Sequence, residues 1–134
     1  MTRLKRLDHV AVAVRELEEA AQAWERSLGL KAERVFQPAG SDVRLAKEPA
    51  GNAFVELAQP LTPDHPLATF IDERGEGLFS LCIEVDDLEA AVAELRGRGV
   101  QVSDPEPGTW EAARLARISP ESAHGVAIQL LERH

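Results

Sequence analysis

Residues 7–21 read LDHVAVAVRELEEAA, and residues 78–92 read LFSLCIEVDDLEAAV. One constant offset sets Val14 on Val85, Leu17 on Leu88, Glu18 on Glu89, Ala20 on Ala91 and Trp24 on Leu95. A second offset, two residues longer, sets AFVEL (Ala53–Leu57) on VAIQL (Val126–Leu130). The period is about half the chain, which indicates a duplicated unit and not an array of short repeats. Within the first copy, Leu7 to Val14 alternates with period two and predicts a strand. Arg15 to Leu28 then carries Leu17, Ala20, Ala21, Trp24 and Leu28 at helical spacing. Gly29 is placed to end that helix.

Further strands are predicted over Lys31–Phe36, Val43–Lys47 and Ala53–Ala58, with turns at QPAGSD (Gln37–Asp42) and EPAGN (Glu48–Asn52). The first half therefore reads βαβββ. A connecting stretch with Pro60, Pro63 and Pro66 leads into a short helix over Leu67–Arg74, whose apolar face would be Leu67, Phe70 and Ile71. The second half repeats the order. It has a strand over Leu78–Val85, a helix over Asp87–Arg96 with Asp86 and Glu89 at capping-box spacing, and strands near Val100–Val102, Ala113–Ile118 and Val126–Leu131. The expected architecture is α+β: two tandem βαβββ modules forming a cupped eight-stranded mixed sheet. Residues 1–134 make one domain, with module one at about 5–59, a linker at 60–77 and module two at about 78–134.

A 44% hydrophobic content is enough for a core in a chain of 134 residues. The formal net charge of −8, with no basic run, argues against nucleic acid or an anionic membrane surface as partner. No stretch approaches the length of a membrane-spanning helix, and the N-terminus MTRLKRLDHV carries no signal-peptide pattern. The single Cys82 cannot form an internal disulfide, which fits a reducing cytoplasm.

One helix per module covers one face of its sheet. The larger side chains, Val10, Val12 and Val14 in the first copy and Leu81, Ile83 and Val85 in the second, should face it. The opposite face then carries His9, Ala11 and Ala13, Phe54 and Glu56, Ser80, Cys82 and Glu84, and Ala127 and Gln129. Small residues beside polar ones suggest a cavity there. Duplication directs His9, Glu56, Ser80 and Gln129 toward one concave surface, with Phe54, Cys82 and the loop residue Trp110 as further lining.

The strings LDHVAVAV, LEEA, LGLKAE, NAFVELAQPL, FIDERGEG, IEVDDLEAAVAEL and GVAIQLLE resemble the vicinal-oxygen-chelate (glyoxalase/bleomycin resistance) superfamily, and within it the methylmalonyl-CoA epimerases. The resemblance implies paired βαβββ modules around a divalent metal such as cobalt, zinc, nickel or manganese. It also implies a homodimer and an isomerase or lyase acting on a small acid or thioester through an enolate. Metal ligands carry over to His9 and Glu56. The third position is Ser80 where the family pattern has His, and the fourth is Gln129 where it has Glu. A hydroxyl is a poor ligand for these metals and an amide brings no charge, so a metal on His9, Glu56 and Gln129 is expected at low occupancy.

The resemblance also implies one proton-carrying acid in the loop before VRLA and one in the last strand. Here the loop reads GSDVRLA, with Asp42 the nearest acid, and Gln129 exchanges no proton near neutral pH. The expected catalytic acids are thus Asp42 and Glu56. Two rival readings share the scaffold. One is a metal-independent small-molecule binding protein of the antibiotic-sequestering kind. The other is a diverged paralogue serving as an interaction or regulatory subunit.

Overall fold

The structure is a computed structural model that describes residues 3–110 and 112–133, the side chains of residues 112 and 113 excepted. In chain order it contains β1 (Leu4–Ala13), α1 (Leu17–Leu28), β2 (Arg34–Phe36), β3 (Val43–Ala50), β4 (Ala53–Pro60), α2 (Pro66–Arg74), β5 (Gly77–Val85), α3 (Leu88–Gly97), β6 (Glu106–Pro107), β7 (Ala112–Ile118), a 3₁₀ turn (Pro120–Ala123) and β8 (Ala127–Arg133). The strands hydrogen-bond as one mixed sheet in the order β2-β3-β4-β1-β5-β8-β7-β6. The α+β class and the βαβββ order in each half follow the duplication. No helix among the described residues is long and apolar enough to cross a membrane.

The chain divides into two compact units, His9–Phe79 and a second formed by Ser80 onward together with the segment ending at Asp8. In the first unit β1 pairs with β4 in parallel, and β3 lies antiparallel to both β4 and β2. Its core is the helix-facing side: Val12, Val14, Leu17, Ala46 and Leu57, with Ala20, Ala21, Trp24 and Val55 packed on them. Leu17 and Leu57 are fully buried, each worth about 1.5–3 kcal/mol against exposure. α1 stops at Gly29, whose left-handed φ of 72° suits glycine. α2 buries Leu67 and Ile71, and the His65 imidazole caps it by accepting from the Leu67 N–H at 3.1 Å.

In the second unit β5 and β8 are parallel and β7 is antiparallel to β8. Its core gathers Val85, Leu88, Ala91, Val92, Ala116 and Leu130 beneath α3. The N-cap of α3 is Asp87, not Asp86: its carboxylate accepts from the Ala90 N–H at 3.1 Å. The repeat itself explains the shift, because Leu88 aligns with Leu17, the first residue of α1. Asp8, almost wholly buried, accepts from Arg133 at 2.6 Å and from Arg6 at 2.8 Å, and Arg6 also binds Glu84 at 2.8 Å.

Several boundaries differ from the sequence expectation, among them those of β3 and of the edge strand in the second half. β3 continues to Ala50, so that Gly51 and Asn52 alone turn the β3–β4 hairpin. Pro49 is tolerated because β2 pairs only as far as Lys47 and leaves that side of β3 without a ladder. Near Val100–Val102 there is only an isolated bridge from Val102 to Ile118. The preceding residues are bound into the end of α3, with Val100 N–H donating to the Leu95 carbonyl. The edge strand β6 instead lies at Glu106–Pro107.

Candidate functional site

Strand register decides which polar groups meet. In the β1–β4 ladder His9 is opposite Phe54 and Ala11 opposite Glu56. Alternation turns these four away from α1, while Val12, Val55 and Leu57 turn toward it. The His9 ring stacks on Phe54 with centroids 4.3 Å apart and an interplanar angle of 12°. His9 Nε2 lies 3.9 Å from a Glu56 carboxylate oxygen, and both side chains are largely buried, at 6% and 12% exposure. Ala11, Ala13 and Ala58 are buried nearby on the same face.

The neighbouring strand adds a cation. Lys47 is opposite Glu56 in the β3–β4 ladder, and its ammonium sits 4.8 Å over the Phe54 ring. Phe54 is therefore the common neighbour of the His9 imidazole and the Lys47 ammonium. The cluster His9, Phe54, Glu56 and Lys47 holds an acid, a titratable ring and a cation on one face of three strands. That combination can hold and move a proton beside a developing negative charge. Lys47 was missed in the sequence reading. Its place across from Glu56 follows only once the β3–β4 turn is known to be the two residues Gly51 and Asn52.

Asp42 stays outside this cluster. It is exposed, and its carbonyl accepts from the Leu61 N–H at 2.8 Å. That places it opposite Leu61, five residues beyond Glu56 along β4, or about 17 Å at the usual strand rise.

In the second unit Cys82 is opposite Gln129. The Cys82 thiol donates to the Gln129 side-chain oxygen at 3.5 Å, and the Ser80 hydroxyl lies 4.0 Å from the Cys82 sulfur. Ser80 and Cys82 are buried, and Cys82 packs with Leu115 and Leu131. Arg117 is the residue opposite Gln129 in the β7–β8 ladder, and its guanidinium pairs with the Glu106 carboxylate. Trp110 is buried in the loop before β7, with a left-handed φ of 54°. Glu84 is held by Arg6 and Lys5, a structural arrangement. His124 is exposed at the end of the 3₁₀ turn.

The residues do not fit a resident transition metal. The first unit offers one imidazole and one carboxylate, the second a hydroxyl and an amide. Stable sites take three or four His, Cys or carboxylate donors. Among the described residues no group of three or more His, Cys, Asp or Glu is placed to hold an ion.

Glu48 is a buried acid on the other face of the same sheet. It lies on the α1-facing side of β3 with neither carboxylate oxygen hydrogen-bonded among the described residues. Burial, and after it the charge of Glu25, pushes its carboxyl above the usual range.

The sequence model described as the Glyoxalase/Bleomycin resistance protein/Dioxygenase superfamily matches residues 8–115. The chain is 32% identical to the mitochondrial methylmalonyl-CoA epimerase of Mus musculus, over 96% of this chain and 73% of that one. It is 30% identical to the ethylmalonyl-CoA/methylmalonyl-CoA epimerase of Cereibacter sphaeroides, over 93% of this chain and 96% of that one. The crystal structure of methylmalonyl-CoA epimerase from Mycobacterium tuberculosis superposes with a TM-score of 0.89 at 32% identity, covering 98% of this chain and 89% of that one. Duplicated modules, sheet order and these likenesses agree: the chain belongs to the glyoxalase/bleomycin resistance protein/dioxygenase superfamily and, within it, to the methylmalonyl-CoA epimerase-like proteins.

Proposed function

We propose that the chain is an isomerase-type enzyme that exchanges the proton next to the carbonyl of a small acyl-CoA thioester. Glu56 acts as the base and His9 is the group held beside it. The observation that carries this reading is the 3.9 Å approach of His9 Nε2 to the Glu56 carboxylate on a largely buried sheet face. The epimerase relatives supply the substrate class.

In the step, Glu56 takes the α-proton. The electron pair of the broken C–H bond forms a C=C bond, and the carbonyl π pair moves onto oxygen, giving an enolate. Return of the proton reverses each change. The relative order of exchange and inversion follows from the residues. Inversion needs a second proton carrier on the opposite face of the carbanion, and proton transfer here rests on the Glu56 carboxylate alone. Exchange with retention is therefore fast and epimerisation slow.

A divalent metal held by His9, Glu56 and Gln129, as the family resemblance implies, would rest on one imidazole, one carboxylate and a neutral amide, and we assign it no step. We place the enzyme in the cytoplasm, since its one cysteine can form no internal disulfide. A homodimer would cover exposed leucines such as Leu4 and Leu28. The test is proton–deuteron exchange into propionyl-CoA and methylmalonyl-CoA by wild type, Glu56→Gln and His9→Ala. Exchange should be lost in Glu56→Gln. Tight thioester binding with no exchange in the wild type would instead identify a binding protein.

A further inference from the structure

We propose that Lys47 supplies the positive charge that stabilises the enolate oxygen, the task a Lewis acid would perform on a fuller donor set. The inference rests on the Glu56 proton-transfer reading above. Three observations carry it. Lys47 is the direct cross-strand neighbour of Glu56. Its ammonium is positioned over Phe54, the ring on which His9 stacks. And the duplication repeats the arrangement, since Arg117 stands directly opposite Gln129, the equivalent of Glu56.

Lys47 lies over a buried aromatic ring. A cation beside low-dielectric walls acts more strongly on a nearby oxyanion than one in water. Glu56 takes the proton while the carbonyl π pair moves to oxygen, so the new negative charge appears within the same cluster. As Glu56 is neutralised the ammonium's attraction passes from the carboxylate to the enolate oxygen, and the transfer lowers the barrier to the extent that the ammonium is held closer to that oxygen than to Glu56.

The experiment compares wild type, Lys47→Met and Lys47→Arg for binding of two probes, with melting temperature as a folding check. Propionyl-CoA is the neutral ground state. Its nitronate analogue carries a planar anion where the enolate forms. The expected result is that Lys47→Met weakens nitronate binding about 10²- to 10³-fold more than propionyl-CoA binding, with kcat for α-proton exchange falling by a similar factor and KM little changed. Lys47→Arg should restore most of both.

Equal weakening of the two probes would overturn the proposal and leave Lys47 a structural residue. A loss confined to methylmalonyl-CoA, which carries an extra carboxylate, would also overturn it by making Lys47 a recognition group for that carboxylate. If Glu56→Gln exchanges protons as fast as wild type, the Glu56 reading fails and this one with it. Exchange that depends on Glu56 but not on Lys47 overturns this proposal alone.

Discussion

The Leu17 backbone N–H donates to the side-chain oxygen of Gln59 at 2.9 Å, and the Leu88 N–H donates in the same way to Glu132 at 3.0 Å. In each module the last strand reaches across to satisfy the first amide of the helix. Helix ends leave such amides without an intrahelical partner. α1 needs the device most, because the Glu16 side chain makes no cap bond. Gln59→Ala and Glu132→Ala should each cost about 0.5–2 kcal/mol in urea unfolding. A change within error for both would show that water replaces them.

Asp8 binds two guanidiniums, Arg6 and Arg133, from an almost fully buried position. Asp8→Ala should cost about 3 kcal/mol, near the lower end for breaking a buried pair, because both arginines keep about a third of their surface exposed. Equilibrium unfolding at neutral pH checks this. A loss below about 1 kcal/mol would mean that the arginines find water as readily as they find the carboxylate.

Glu48 should make stability fall as pH rises. Its folded-state pKa is raised by burial, so the folded protein holds the proton more tightly than the unfolded chain. The full contribution is therefore present below the ordinary carboxyl pKa. It is lost progressively as pH climbs through that value toward the raised one. Glu48→Leu removes an unsatisfied buried carboxylate and should stabilise the protein at pH 7 by about 1–3 kcal/mol. The gain should shrink as pH falls from the raised value toward the ordinary carboxyl pKa and be smallest below it. Thermal melts of both proteins at several pH values measure it, and a constant difference would contradict the assignment.

The switch from period two at Leu7–Val14 to helical spacing at Leu17–Leu28 was legible in the sequence because each face has one burial partner. So was the face of His9, Phe54 and Glu56, which strand parity alone assigns. The length of β3 was not legible. Pro49 reads as a breaker until it is known that β2 pairs with β3 only as far as Lys47. β6 was hidden for the same reason, a proline tolerated only on an edge. Lys47 and Asp42 show the limit for the site. A lysine across a ladder from Glu56 and an aspartate five residues along it differ only in register, and register is fixed by the two-residue turn at Gly51–Asn52.

The most direct test of the proposed chemistry is the ratio of two rates on one substrate. Methylmalonyl-CoA of a single configuration is incubated in D₂O, with and without added cobalt, and α-deuteration and inversion are followed together. With the Glu56 carboxylate the one proton carrier, deuteration with retention should outrun inversion by about 10²-fold or more. Glu56→Gln should abolish both. Inversion as fast as deuteration in the wild type would contradict the account, because it would require a second proton carrier that His9 and Glu56 do not supply.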